Sequence, residues 1–160
     1  MIDKIIDKMI EKEVIEKEII ETNSREETYA LGFKLGKEAQ PGTIYALDAD
    51  LGCGKTVFSQ GLAAGLGITQ TVNSPTFNIL KVYEKGRLPF YHFDVYRIGD
   101  ISEMDEIGCE DFFYGEGVCV IEWADMIREL IPDTAVWIHM ARDLSKGMDY
   151  RRIEMAQQDN

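Results

Sequence analysis

Between Thr43 and Gly67 the chain passes from an apolar run to a glycine-rich turn and then to a helical pattern. Thr43-Ile44-Tyr45-Ala46-Leu47 is short, apolar and β-favouring, as expected of a buried strand. Ala49-Asp50-Leu51-Gly52-Cys53-Gly54-Lys55-Thr56 follows, matching the phosphate-loop spacing small-x-x-x-x-Gly-Lys-Thr with Ala49 at the position usually held by the first Gly. Gly52 and Gly54 let the backbone curl so that successive N–H groups point inward at phosphate oxygens. Lys55 brings a full charge to the outer phosphates, and Thr56 offers a hydroxyl to magnesium. Val57 to Leu66 then carries apolar residues at helical spacing, with Gly67 suited to cap the end. A helix that starts at the loop aims its unpaired N–H groups and positive dipole end at the same place.

The rest of the chain supplies layers for that unit. A length of 160 residues accommodates one domain with a sizeable core. We expect an α/β three-layer sandwich of the P-loop NTPase-like kind, with a mixed, mainly parallel central sheet and antiparallel hairpin pieces. Residues 1–22 read as an amphipathic N-terminal helical extension whose apolar stripe slips after Met9-Ile10. Such a helix could dock on the domain, pair with a second copy or fray. The domain proper, residues 23–160, opens with a capping box in which Ser24 and Glu27 start a helix from about Arg25 to Glu38, expected to bury Tyr29, Leu31, Phe33 and Leu35. Asn78–Glu84 and Leu88–Tyr96 form a hairpin pair. Ser102–Tyr114 is helical with a break at Gly108, and Gly117–Glu122 is a buried parallel strand. A helix around Asp125–Leu130 precedes two closing strands, Ala135–Met140 and Tyr150–Ala156.

A net charge of −12 argues against a protein that grips nucleic-acid phosphates by itself over a broad surface. The three cysteines, Cys53, Cys109 and Cys119, have no metal-ligand spacing and suggest a reducing compartment. Charges interrupt every apolar run at the N-terminus, so neither a signal peptide nor a membrane span is expected, and the protein is expected to be cytoplasmic.

Hydrolysis of a bound nucleotide needs more than the loop. Asp94 and Glu122 each end an apolar strand, where open α/β sheets place ligands. Asp94 could hold a magnesium shell and Glu122 could orient or activate water; alternatively, either caps a helix or pairs with Arg97. Thr76, in Ser74-Pro75-Thr76-Phe77, could close over the outer phosphate. Trp123 packs beside the nucleotide or fills core, and His92 reads as an interior residue. Cys53, at a helix N-terminus, could be a reactive thiol.

Four segments in order resemble the bacterial TsaE family: the phosphate loop, Val72-Asn73-Ser74-Pro75-Thr76-Phe77, Tyr91-His92-Phe93-Asp94-Val95-Tyr96-Arg97 and Val120-Ile121-Glu122-Trp123. The resemblance runs from about Ser24 to Ala156. It implies binding of ATP or ADP with Mg2+ and an ATPase that is weak alone and stimulated by partners. Those partners would be the TsaD and TsaB proteins, with tRNA reached only through that complex and no membrane involved. The reaction served would be threonylcarbamoyl transfer to the tRNA adenosine beside the anticodon. By the same resemblance, Lys55, Asp94 and Glu122 are catalytic. Asp50, Leu51, Gly52, Cys53, Gly54, Lys55, Thr56, Val57, Thr76 and Trp123 bind nucleotide, and Thr56, Thr76, Asp94 and Glu122 serve the metal. The family usually has Gly and Ala where this chain has Ala49 and Cys53, so Ala49 must keep ordinary backbone angles. Two other readings share the loop: a small-molecule phosphotransferase, which needs arginine-bearing lids, and a nucleotide-gated binding module.

Overall fold

The computed structural model describes residues 17–49, 52–75 and 78–157. Seven strands form one sheet in the order β1-β7-β6-β2-β5-β4-β3. They are β1 (Lys17–Thr22), β2 (Ile44–Ala49), β3 (Leu80–Tyr83), β4 (Phe90–Asp94), β5 (Val118–Glu122), β6 (Val136–Arg142) and β7 (Arg151–Gln157). The central strands β6, β2, β5 and β4 are parallel, while β3 and the β7–β1 pair add antiparallel edges. The expected mixed α/β sandwich with a parallel centre is therefore the observed one.

Strand alternation sorts the core into two layers. Leu47 and Ala49, Phe90, Val118 and Val120 face helix α2 (Lys55–Gly65). Ala46, Phe93, Cys119 and Ile121 face the short helices α3 (Ser102–Glu106) and α4 (Cys109–Phe113) and the 3-10 segment Ala124–Leu130. By the same period of two, His92 and Asp94 share the face of Phe90, and Glu122 shares that of Val120. Because β2, β4 and β5 run in the same direction, Ala49, Asp94 and Glu122 end together, on the side where α2 begins.

Helix α1 (Arg25–Glu38) starts at the expected cap: Ser24 Oγ accepts from Glu27 N–H at 3.1 Å, and the Glu27 carboxylate reaches back to the Asn23 N–H at 2.8 Å. Its buried face differs from the expectation. Tyr29 and Phe33 are 40% and 42% exposed, Leu31 and Leu35 only partly buried, and the residues turned inward are Thr28, Gly32 and Gly36. The cause is close backbone approach to α2. A Cβ on Gly32 or Gly36 would strike the Phe58 or Leu62 carbonyl, and one on Gly61 or Gly65 would strike those of Tyr29 and Phe33. Small residues face small residues, and the larger ones are displaced to the flanks. Arg87, from the β3–β4 turn, caps the far end of α1 by donating to the carbonyls of Gly36, Lys37 and Ala39.

A second expectation changes at the N-terminus. Lys17–Thr22 is a strand rather than the end of a helix, while residues 1–16 lie outside the described residues. The β-branched Ile19, Ile20 and Thr22 suit an extended backbone once β7 offers a partner. Lys17, Glu18 and Glu21 put charge on this outermost strand, which discourages further edge pairing. Thr22, buried at the strand's end, shares a 2.8 Å hydroxyl contact with Thr28 and so fixes β1 to α1. The segment after α4 follows the sequence reading, except that Ala124–Leu130 winds as a 3-10 helix.

Candidate functional site

A cleft of about 690 Å³ opens at the common end of β2, β4 and β5. Gly52, Gly54, Lys55, Thr56 and Val57 line one side, and Asp94, Glu122, Trp123, Tyr96 and Arg97 another, with Ser74, Pro75, Arg25, Asp149 and Arg151 completing the wall. Of the residues expected from sequence, Asp50, Leu51 and Thr76 lie outside the described residues. The others meet here, with one exception: the Cys53 side chain is fully buried in the α2-side core. A thiol so enclosed cannot act as the exposed reactive group considered above.

The loop takes its shape from two left-handed glycines, Gly52 at φ 78° and Gly54 at φ 88°, the latter the N-cap of α2. A side chain at either position would be strained. Ala49 sits in β2 with ordinary extended geometry, so alanine is accommodated there. Gln60 donates to the Val72 carbonyl at 3.0 Å and ties the loop that follows α2 back onto it.

Across the cleft the two carboxylates occupy paired positions, Asp94 opposite Glu122 in the β4–β5 register. Glu122 is only 2% exposed, and its Oε2 lies 3.1 Å from His92 Nε2 and accepts from Ser74 Oγ at 3.2 Å. The neighbouring strand and the Ser-Pro loop thereby fix the carboxylate's orientation. His92 is fully buried, and its Nδ1 has no hydrogen-bond partner among the described residues. Asp94 is half-buried and accepts from the Tyr96 N–H at 3.1 Å. Burial raises its pKa above the usual carboxylate value, and the negative charge of Glu122 adds to the rise. The Tyr96 N–H, Lys55 and His92 oppose it.

Trp123 is the one non-glycine among the described residues with positive φ, 62°. Such a backbone persists only when its surroundings hold it. Here the Lys55 ammonium sits 4.1 Å from the indole centroid and the Tyr96 ring packs at 4.6 Å. Lys55 thus bridges the two walls of the cleft. His139, by contrast, lies half-exposed beside Asp48 on β6, away from these groups.

Sequence reasoning missed Ser74 and His92 as partners of Glu122 and Arg151 as a neighbour of the loop. Counting in twos back from Asp94 finds His92. Arg151 had no such signal, since it lies 98 positions beyond Cys53. Three arginines, Arg25, Arg97 and Arg151, line the cleft, where the sequence pointed to Arg97 alone.

Fold and loop together define a P-loop α/β protein. A solved structure described as Bacillus subtilus YdiB superposes with a TM-score of 0.77 at 38% identity, covering 90% of this chain and 87% of that one. The family model for threonylcarbamoyl adenosine biosynthesis protein TsaE matches residues 22–153. A tRNA threonylcarbamoyladenosine biosynthesis protein TsaE from Bacillus subtilis (strain 168) is 47% identical over 82% of this chain and 80% of its own length. One of the same description from Treponema pallidum (strain Nichols) is 40% identical over 79% and 92%. The chain belongs to the TsaE family of tRNA threonylcarbamoyladenosine biosynthesis. No helix among the described residues is long and apolar enough to cross a membrane.

Proposed function

We propose that this chain binds Mg-ATP in the cleft and hydrolyses it in support of threonylcarbamoyl transfer to the tRNA adenosine next to the anticodon, as the ATPase subunit of a complex with TsaB and TsaD. The observation that carries the reading is the convergence on one cleft of a glycine-curled loop at a helix N-terminus and two strand-end carboxylates. The loop amides and Lys55 hold the phosphates, and the start of α2 favours their charge. Glu122, buried and aligned by His92 and Ser74, orients the attacking water and accepts its proton.

Thr56 and Asp94 would hold a magnesium ion, which supplies charge neutralisation at the phosphates when bound. The donor set fits: hard oxygens, and two neighbouring carboxylates whose mutual repulsion a cation relieves. Among the described residues no group of three or more His, Cys, Asp or Glu side chains could hold a metal ion by itself; nucleotide oxygens and water would have to supply the remaining ligands. ADP would occupy the same loop after turnover, and Trp123, which lines the cleft, would lie beside the nucleotide.

The acidic net charge suits a subunit that reaches tRNA only through TsaD and TsaB, in the cytoplasm where that RNA is modified. Phosphate release from Mg-ATP, measured with and without the TsaB–TsaD pair, tests the reading. Slow release that the pair accelerates supports it, and equal rates contradict the partnership. Transfer of phosphate to an acceptor other than water would indicate a phosphotransferase instead.

A further inference from the structure

The loop's glycines permit its curl but do not select it. On β7, far along the chain, Arg151 lines the cleft beside the loop and sends its guanidinium to the loop's carbonyls. Nε donates to the Cys53 carbonyl at 2.8 Å and Nη2 to the Gly52 carbonyl at a longer 3.4 Å, while Nη1 donates to the carbonyls of Met148 and Tyr150, at 2.8 and 2.7 Å. These bonds use four of the five N–H groups a guanidinium carries. In a trans peptide the carbonyl of one residue and the N–H of the next point in opposite directions. Holding the Gly52 and Cys53 carbonyls towards Arg151 therefore turns the N–H groups of Cys53 and Gly54 to the opposite face of the loop.

We propose that Arg151 is a positioning residue for phosphate binding: by engaging the Gly52 and Cys53 carbonyls it presets the orientation of the loop amides that receive the nucleotide's phosphates. The proposal rests on the nucleotide reading above and adds a residue outside the loop motif. A preset loop spares the nucleotide the cost of ordering it, so the effect falls on affinity. Turnover of bound ATP depends on the opposite wall and changes little.

The test is calorimetric titration of Mg-ATP and Mg-ADP into the full chain and into three variants whose melting temperatures are recorded first. Arg151→Ala is expected to lose about tenfold or more in affinity for both nucleotides, with kcat within about twofold. Arg151→Lys recovers part of the loss, since an ammonium reaches one carbonyl but cannot fork across two. Free guanidinium ion at a non-denaturing concentration restores affinity to Arg151→Ala. Asp143→Ala removes the carboxylate that holds the Ser145 N–H and hydroxyl in the same β6–β7 connection. It is expected to lower the melting temperature without weakening the nucleotide. Unchanged affinity in Arg151→Ala overturns the proposal, as does an equal loss in Asp143→Ala or a loss that neither lysine nor guanidinium repairs. If the unaltered chain binds neither nucleotide, the functional reading falls as well; if it binds and Arg151→Ala binds equally, only the role of Arg151 falls.

Discussion

The two walls of the cleft are built by opposite means. On the phosphate side the chemistry lies in the backbone: two left-handed glycines and the first turn of α2, with Lys55 as the added charge. On the carboxylate side it lies in side chains fixed to rigid strands, Glu122 by His92 and Ser74, and Asp94 by the Tyr96 N–H. A backbone nest recognises an anion of any detailed shape, whereas a carboxylate on a sheet is held in one place and suits a task that depends on direction. On the nucleotide reading proposed above, the division assigns binding to one wall and turnover to the other. Substitutions should therefore separate affinity from rate.

The largest expected effect is on the carboxylate wall. Glu122→Gln keeps the size and most contacts of the side chain but cannot accept a proton, so kcat is expected to fall by about 10²–10⁴ while Mg-ATP affinity stays within about threefold. A matching loss of affinity, read by calorimetry, would break the division. On the phosphate wall, Lys55→Ala is expected to weaken Mg-ATP by roughly 10- to 100-fold, the range for a hydrogen bond to a charged group. Trp123 loses its cation at the same time, so its fluorescence should change even without nucleotide.

Asp94 sharpens the comparison through pH. Its folded-state pKa is raised, so the folded protein holds this proton more tightly than the unfolded chain does. That contribution favours folding in acid and is lost as pH rises through the folded pKa. Above it the ionised, half-buried carboxylate works against the nucleotide-free fold. Asp94→Asn should then raise the melting temperature at neutral pH, with the gain shrinking in acid, and at the same time slow ATP turnover. A variant melting below the unaltered chain at neutral pH would show that the Tyr96 contact outweighs burial. Smallest of all, Ser24→Ala removes the cap of α1 and should cost about 1 kcal/mol of stability in denaturant unfolding. Ser24 does not itself line the cleft, although Arg25 beside it does, so nucleotide affinity should move far less than in Lys55→Ala.

The same contrast explains what the sequence disclosed. The phosphate wall is contiguous in the chain, and glycine spacing announces it. The strand-end acids could be found because apolar runs stop at them, and the Ser24–Glu27 box placed the start of α1 because capping is local. What escaped was long-range. β1 is a strand because β7 pairs with it, a partner that helical periodicity within residues 1–22 cannot reveal. Tyr29 and Phe33 are exposed because the glycines of α1 meet those of α2, and a count of apolar residues on one helix does not register that approach. Glu122 draws on side chains 30 and 48 positions earlier, and the Arg151 contacts join β7 to the loop after β2, 98 positions away. Such contacts become visible only once the sheet order is known.

Every role proposed for these residues requires the cleft to be a nucleotide site. Titration of Mg-ATP into the purified, folded chain, followed by heat, tests this most directly. A saturable signal with one site per chain, strongly weakened in Lys55→Ala, is the predicted result. No heat from the folded, unaltered chain at any temperature tried, or a signal that Lys55→Ala leaves intact, would contradict it.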